Sequence, residues 1–292
     1  MSLKVIPLSY GLGAEIRNVD LTRPVGPELA AEIKQAWNDH HVLLIRDQDI
    51  TPEQQLAFTN ALGPTEPYPL VHYRHPEVPE VFLLTNMPIN NKPSETRDAG
   101  RHWHADLSFT TNPAVGSILR CLKTPDVGGD TMFANQHMAY DRLSPAFRAL
   151  IDDLEAVHQL FSKTKGIEKL DQQKVADLRR ANPPVIQPMV RTHPENDRKA
   201  LYVSVAVTTR IVGMTQEESD AILDFLFEHQ TRIEFTYRHK WRPHDILMWD
   251  NRSVLHMAVP DNDHHQDRLM HRTTIIGDAS GRFLEEPEPA IV

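Results

Sequence analysis

The stretch Arg101-His102-Trp103-His104-Ala105-Asp106-Leu107-Ser108-Phe109 decides how this chain is read, together with Trp249-Asp250-Asn251-Arg252-Ser253-Val254-Leu255-His256 much further on. In an extended strand, side chains two apart point to the same face, so His104 and Asp106 can approach one ion from a single strand end. A His-x-Asp pair joined by a distant histidine supplies two imidazoles and one carboxylate to one face of a ferrous ion and leaves the opposite face open. His256 is the candidate for the distant member, and bringing it alongside requires a fold in which remote strands meet. Taken alone, the His-x-Asp spacing is a frequent chance pattern, and most of the chain's 16 histidines must be surface or structural.

His102 opens a different reading. In a strand His102, His104 and Asp106 share one face, which is half of the ligand pattern of a two-zinc hydrolase. Such hydrolases carry another histidine directly after the aspartate, where this chain has Leu107. His102 is therefore assigned to the surroundings of the site or to the surface.

Composition narrows the field. A chain of 292 residues is enough for one large domain or two small ones, and it buries roughly 75% of its unfolded surface. Hydrophobic residues at 40% and charged residues at 24% suit a soluble globular protein, and a net charge of -9 argues against nucleic-acid binding, which needs a basic surface. The single cysteine, Cys121, rules out an intrachain disulfide and fits a reducing cytoplasm. Its apolar setting, Ser117-Ile118-Leu119-Arg120-Cys121-Leu122, predicts a buried, inert thiol. Met1–Ile6 lacks a charged-then-apolar leader pattern. No apolar run approaches the roughly 20 residues of a membrane span, so no membrane partner is expected.

Neither repeats nor low-complexity linkers divide the chain, which predicts one domain over 1–292 with an extended tail from 279. Val42-Leu43-Leu44-Ile45 reads as a buried strand. Thr51-Pro52-Glu53-Gln54 starts a helix, with Thr51 and Gln54 placed for a capping box, and Gly63 ends it. Pro79–Thr85 reads as a further strand. Met87–Gly100 is a polar, proline-broken loop leading into the His-x-Asp segment, where a lid or a plain surface loop are both open. Short strands then dominate: 116–122, 130–133, 185–192, 200–205, 233–237, 245–249 and 272–276. That run predicts a sandwich or jelly roll. Thr215-Gln216-Glu217-Glu218 caps a helix carrying Ile222, Leu223, Leu226 and Phe227 at helical spacing. Residues 162–182 read as a polar helix or surface excursion, and the acidic tail 279–292 as frayed or packed on a neighbouring subunit.

At this point the sequence resembles the taurine/2,4-dichlorophenoxyacetate dioxygenase family of iron(II)/2-oxoglutarate enzymes, from about Val5 to Asp278. The motifs appear in the family's order: Trp103-His104-Ala105-Asp106, Gly128-Gly129-Asp130-Thr131, Val190-Arg191-Thr192-His193-Pro194, Thr208-Thr209-Arg210-Ile211, Trp249-Asp250-Asn251-Arg252 leading to His256, and Arg268-Leu269-Met270-His271-Arg272. The resemblance implies a mainly β chain with α, a double-stranded β-helix or jelly roll with flanking helices. It implies Fe(II), 2-oxoglutarate and O2, with His104, Asp106 and His256 as metal ligands. Thr131 and Arg268 would bind the far carboxylate of 2-oxoglutarate, Arg268 as a planar, always-charged partner. Arg272, on the same strand face four residues on, would hold the substrate's anionic group. Asp250 and Asn251 would orient neighbouring groups, and Trp249 would pack in the core.

The match departs from taurine enzymes in the pocket. Tyr73 matches, but Leu70 stands at the family's early histidine, Gly100 at an asparagine and Val207 at a phenylalanine; His72 or His75 could replace the missing histidine. Losing two hydrogen-bonding partners should cost about 1–3 kcal/mol each where the groups they served stay buried. Leu70 and Val207 leave a roomier, less polar pocket, which favours a bulkier anion than taurine. The implied reaction is oxidative decarboxylation of 2-oxoglutarate to succinate and CO2, coupled to hydroxylation of an unactivated C–H bond in a small anionic sulfonate or carboxylate. A heteroatom on that carbon would then leave as sulfite, a phenol or an amine. Taurine itself remains the alternative substrate, and a zinc hydrolase or a non-catalytic jelly-roll binding protein are the alternatives in kind. By analogy with the family, the chain is expected to form a homo-oligomer (dimer or tetramer) in the cytoplasm.

Overall fold

The computed structural model describes residues 3–67, 73–89, 94, 100–160, 172–261 and 265–285. Two sheets supply the framework. The larger runs in the order β1 (Lys4–Pro7), β2 (Ala14–Arg17), β3 (Val42–Ile45), β13 (Ile246–Asp250), β5 (Ala114–Lys123), β15 (Leu269–Ile276) and β4 (Phe82–Thr85). The smaller sets β6 (Thr131–Asn135) between β12 (Thr236–His239) and β14 (Val254–Ala258). Apart from the β1–β2 hairpin, neighbours in these sheets are separated by long stretches of sequence, and all pairs are antiparallel except β2 with β3. This is the jelly roll that the family resemblance implied.

The alternation of side chains explains the sequence. Val42 and Leu44 point between the sheets with Leu119, Cys121, Phe133, Leu247, Trp249 and Met270. Leu43 and Ile45 point outward under helices α1 (Pro27–His40) and α2 (Pro52–Leu62), against Ile33, Trp37 and Phe58. A strand covered on both faces has no reason to alternate polar and apolar residues, hence the unbroken Val-Leu-Leu-Ile. Each such fully buried side chain contributes about 1.5–3 kcal/mol.

Helix α2 forms as its sequence dictates. The Thr51 N–H donates to Gln54 Oε1 at 2.7 Å, the Gln54 N–H donates to Thr51 Oγ1 at 3.3 Å, and Pro52 occupies the first turn. Gly63 ends it with extended backbone. Its glycine is required by close approach, because a Cβ there would lie 2.5 Å from Ile275 Cγ2. Helix α6 (Gln216–His229) has the same reciprocal cap from Thr215 and Glu218 and buries Leu223 and Leu226. Short helices α3 (Gln136–Asp141) and α4 (Pro145–Ile151) and a polar helix α5 (Gln172–Ala181) complete the set. A third sheet joins β11 (Thr208–Ile211), β7 (Glu155–His158), β8 (Val185–Pro188) and β16 (Arg282–Phe283), beside the hairpin of β9 (Val190–Thr192) and β10 (Lys199–Leu201).

Several expectations need correction. His104 is a single bridge residue and Asp106 sits in the turn after it, so the two do not lie on one continuous strand. Residues 233–235 form a 3-10 turn and pairing begins only at Thr236, because Ile233 is 86% exposed and has no sheet to face. Residues 185–192 split at Met189, whose N–H and C=O turn to Leu154 and Tyr202. The start of the tail docks on its own chain, with Arg282 and Phe283 paired to Ile186 and Val185. Most of the 87–100 loop, residues 161–171 and residues 286–292 lie outside the described residues.

Candidate metal centre and co-substrate pocket

Backbone pairing builds the centre. His104 and His256 are directly opposed, with the His104 N–H donating to the His256 carbonyl at 3.1 Å and the His256 N–H to the His104 carbonyl at 2.9 Å. Their rings lie side by side, centroids 4.2 Å apart. Asp106 curls back between them, with His104 Nε2 3.7 Å from Oδ1 and His256 Nε2 3.7 Å from Oδ2. Among the described residues these three form the one group of metal-ligating side chains, their donor atoms all within 4.8 Å of one another. His104 Nδ1 lies 2.7 Å from the His102 carbonyl, which assigns the proton to Nδ1 and leaves Nε2 as the ligand atom. His102 thus serves through its backbone. Trp249 and Phe133 wall the His256 ring at 4.6 and 6.2 Å.

Asp106 is buried and engaged at both oxygens. Arg272 Nη1 donates to Oδ1 at 2.9 Å and the Ser117 hydroxyl to Oδ2 at 2.6 Å. Burial opposes its charge, but Arg272, the two imidazoles and Ser117 outweigh burial and hold the carboxyl well below its usual range. Burial also pushes the His256 imidazole well down, which keeps it neutral, the form that binds metal. The turn behind Asp106 is fixed by the third sheet. Ser108 and Thr110 carbonyls accept from Gln187 Nε2, the Ser108 carbonyl also meets His158 Nδ1, and Leu107 is held at a φ of 57°. That left-handed conformation costs a leucine on the order of 1–2 kcal/mol, and the surrounding bonds impose it.

Parity carries other expected residues to the same interior. Thr131 lies two residues before Phe133 on β6, and the Trp241 indole donates to its Oγ1 at 3.0 Å, leaving the hydroxyl hydrogen to point elsewhere. Arg268 immediately precedes β15, and its backbone is clamped by Thr85 and Asn86. Burial lowers its pKa from the ordinary value, yet among the described residues none accepts a hydrogen bond from the guanidinium. The side chain is half-buried, so its guanidinium stays open to an anionic ligand. Arg272 lies over the Phe82 ring at 5.1 Å, and Tyr73 meets the same ring at 6.0 Å. Val207 is buried in the turn before β11. Gly100 takes a φ of 75°, a region open to glycine and asparagine, with its Cβ direction 3.4 Å from His104 Cε1. His75 Nδ1 accepts from the Glu77 and Val78 N–H groups and its ring meets His271 at 5.5 Å. Leu70 and His72 lie outside the described residues. Ser117, Trp241 and Phe82 were not singled out from sequence, although the strand alternation that sends Leu119 and Cys121 inward also sends Ser117 inward. Cys121 is buried and its thiol is pushed up to about 12, as expected of an inert thiol.

The family described as "Taurine catabolism dioxygenase TauD, TfdA family" matches residues 4–274. An alpha-ketoglutarate-dependent 2,4-dichlorophenoxyacetate dioxygenase of Cupriavidus pinatubonensis is 32% identical over 290 residues, covering 96% of this chain and 99% of the relative. An alpha-ketoglutarate-dependent sulfate ester dioxygenase of Pseudomonas putida is 32% identical, covering 95% and 91%. The crystal structure of AAD-2 in complex with Mn(II) and N-oxalylglycine superposes with a TM-score of 0.84 at 32% identity, covering 96% and 99%. The chain belongs to this dioxygenase family. It is a 2-oxoglutarate-dependent oxygenase that uses Fe(II), 2-oxoglutarate and O2. The donor set fits such an ion: two imidazoles and one carboxylate converge, and the hydrogen bond of His104 Nδ1 leaves its Nε2 available. The uncompensated Arg268 fits a dianionic co-substrate.

Proposed function

We propose that this enzyme hydroxylates a small anionic organic substrate, a sulfonate or carboxylate with an apolar body, at a metal held by His104, Asp106 and His256. The bound iron and 2-oxoglutarate supply oxidation of a C–H bond by O2, releasing succinate and CO2. The chain's own residues bind and orient. Arg268 and the Thr131 hydroxyl take the far carboxylate of 2-oxoglutarate. Arg272, beside Phe82 and Tyr73, takes the substrate's anion, and Leu70 and Val207 shape a smoother wall than taurine needs. The apolar interior around Phe133 and Trp249 keeps water from the reacting centre. The convergence of three lone-pair donors from His104, Asp106 and His256 carries this reading.

A single domain over 1–292, assembled as a cytoplasmic dimer or tetramer, completes it. No helix among the described residues is long and apolar enough to cross a membrane. The decisive experiment is 2-oxoglutarate-dependent oxygen consumption with a panel of sulfonates including taurine, aryloxyacids, amino acids and sulfate esters, run beside His256→Ala. Wild type should form succinate with a bulky anion, and His256→Ala should form none while remaining folded. Unchanged succinate formation by His256→Ala would overturn the ligand assignment, and metal retention as zinc with indifference to 2-oxoglutarate would favour a hydrolase.

A further inference from the structure

Asp106 is held by a closed, buried circuit of hydrogen bonds whose directions are fixed. Asn251 Oδ1 accepts the Asp106 N–H at 3.0 Å and the Trp249 Nε1–H at 3.1 Å. Two donors on that oxygen fix the amide orientation, so Asn251 Nδ2 must donate, and it donates to Ser117 Oγ at 3.2 Å. With Oγ already accepting, the one hydroxyl hydrogen of Ser117 goes to Asp106 Oδ2, at 2.6 Å. Ser117 and Asn251 are 0% and 1% exposed, so no water replaces these bonds cheaply.

The placement is rigid. Ser117 lies on the central strand β5, paired with Trp249 on one side and Thr274 on the other. The neighbouring Gly116 has no room for a Cβ, which would meet Trp37 at 2.3 Å. Asn251 is anchored through its N–H to the Val115 carbonyl at 2.9 Å. The circuit therefore ties the carboxylate to the most buried part of the larger sheet. Arg272 holds the other oxygen from β15.

We propose that Ser117, oriented by Asn251, is a positioning residue for the metal centre: its hydroxyl commits Asp106 Oδ2 to one direction and so presets the carboxylate as a single-oxygen ligand. This rests on the assignment of His104, Asp106 and His256 as the metal ligands. Without the hydroxyl, the carboxylate loses a charge-assisted donor and rotates or binds through both oxygens, and Asn251 Nδ2 is orphaned. Groups that orient a ligand in this way typically change metal affinity by about 10–100-fold when removed.

The test is Mn(II) binding to the metal-stripped full chain, read from the EPR signal of free and bound ion, for wild type, Ser117→Ala, Ser117→Cys, Asn251→Ala and the Ser117→Ala/Asn251→Ala pair. Ser117→Ala should weaken Mn(II) binding by about 10–100-fold and change the bound-ion spectrum. Ser117→Cys, with a weak donor, should fall between. The two alanine losses should not add, since both act on one carboxylate oxygen. Melting of the metal-free proteins reports folding separately, and Ser117→Cys supplies a second variant should Ser117→Ala be poorly folded. A folded Ser117→Ala or Ser117→Cys whose Mn(II) affinity lies within twofold of wild type, with an unchanged spectrum, overturns the proposal. Failure of wild type itself to bind Mn(II) strikes the ligand assignment instead.

Discussion

Two buried groups of histidine and aspartate lie on the two sides of one turn. His256 after it joins His104 and Asp106, while Asp250 before it joins His193, with the His137 ring edge-on to His193 at 5.7 Å and the His41 ring tilted against His137 at 5.0 Å. The residue types are alike, but the chemistry differs. Asp250 is saturated, accepting from Arg252 Nε at 2.8 Å, Arg252 Nη2 at 2.6 Å and the Arg252 N–H at 2.9 Å, and meeting His193 Nε2 at 2.9 Å. Arg252 is itself shared with Glu195. The Nδ1 atoms of His41 and His137 are engaged by the Ser253 hydroxyl and the Lys199 carbonyl, and among the described residues no carboxylate converges with them on one point. A metal centre requires converging lone pairs left over after internal bonding, and only the first group has them. The arginines repeat the contrast: Arg252 is fully paired, and Arg268 faces no acceptor among the described residues.

That contrast can be broken at its strongest point. Arg252→Ala strips the guanidinium from the buried Asp250 carboxylate, and should lower unfolding free energy by about 3–5 kcal/mol in urea titrations. Mn(II) affinity of the folded fraction should change little; a parallel collapse would mean that the two groups act as one unit. Arg268→Ala should do the reverse, raising the 2-oxoglutarate KM on the order of 10–100-fold, from about 1.5–3 kcal/mol of lost charge-assisted bonding, without loss of stability. An unaltered KM removes Arg268 from the co-substrate site.

Acid sharpens the comparison further. Burial, and in the second group neighbouring cations and imidazoles, holds His41 at about 3 and His137 at about 4, and burial holds His158 and His271 at about 4. These are bases with depressed folded-state values, so the neutral fold is favoured above the unfolded value near 6.5, and stability is lost as pH falls below it towards 4. Each should contribute a slope of about 1.4 kcal/mol per pH unit. Urea midpoints of metal-free protein at pH 7, 6 and 5 measure it, and a flat series contradicts the buried-neutral assignment. The smallest effect is expected for Thr131→Val, about 1 kcal/mol in 2-oxoglutarate binding, seen as a roughly fivefold KM increase.

The sequence made the site legible where ligands are local or motif-borne. His104-x-Asp106 is visible from spacing, whereas His256 needed the order of motifs, because nothing local marks a ligand whose partner lies across the sheet. Helices α2 and α6 were legible from capping boxes. Helix α1 was not singled out, since its cap is Gly26, which offers no side chain to read. Val254–Ala258 drew notice for His256 and not as a strand. Nothing in the sequence around Ser117 marks a role, and only tertiary placement shows that its hydroxyl meets Asp106. Arg272 was assigned to substrate, and its bond to Asp106 is invisible without knowing which strand faces which turn.

The mutual backbone bonds of His104 and His256 have a further consequence. Strand pairing places both imidazoles before any ion arrives, so loading is a docking event on a finished receptor and not a step of folding. Chelation should return an empty but intact chain, and an ion at a hundredfold excess over its Kd adds only about 2.7 kcal/mol by mass action. Such a receptor can release and rebind an ion without unfolding. The ion it carries is then set as much by local supply as by the preference of three ligands for one element over another.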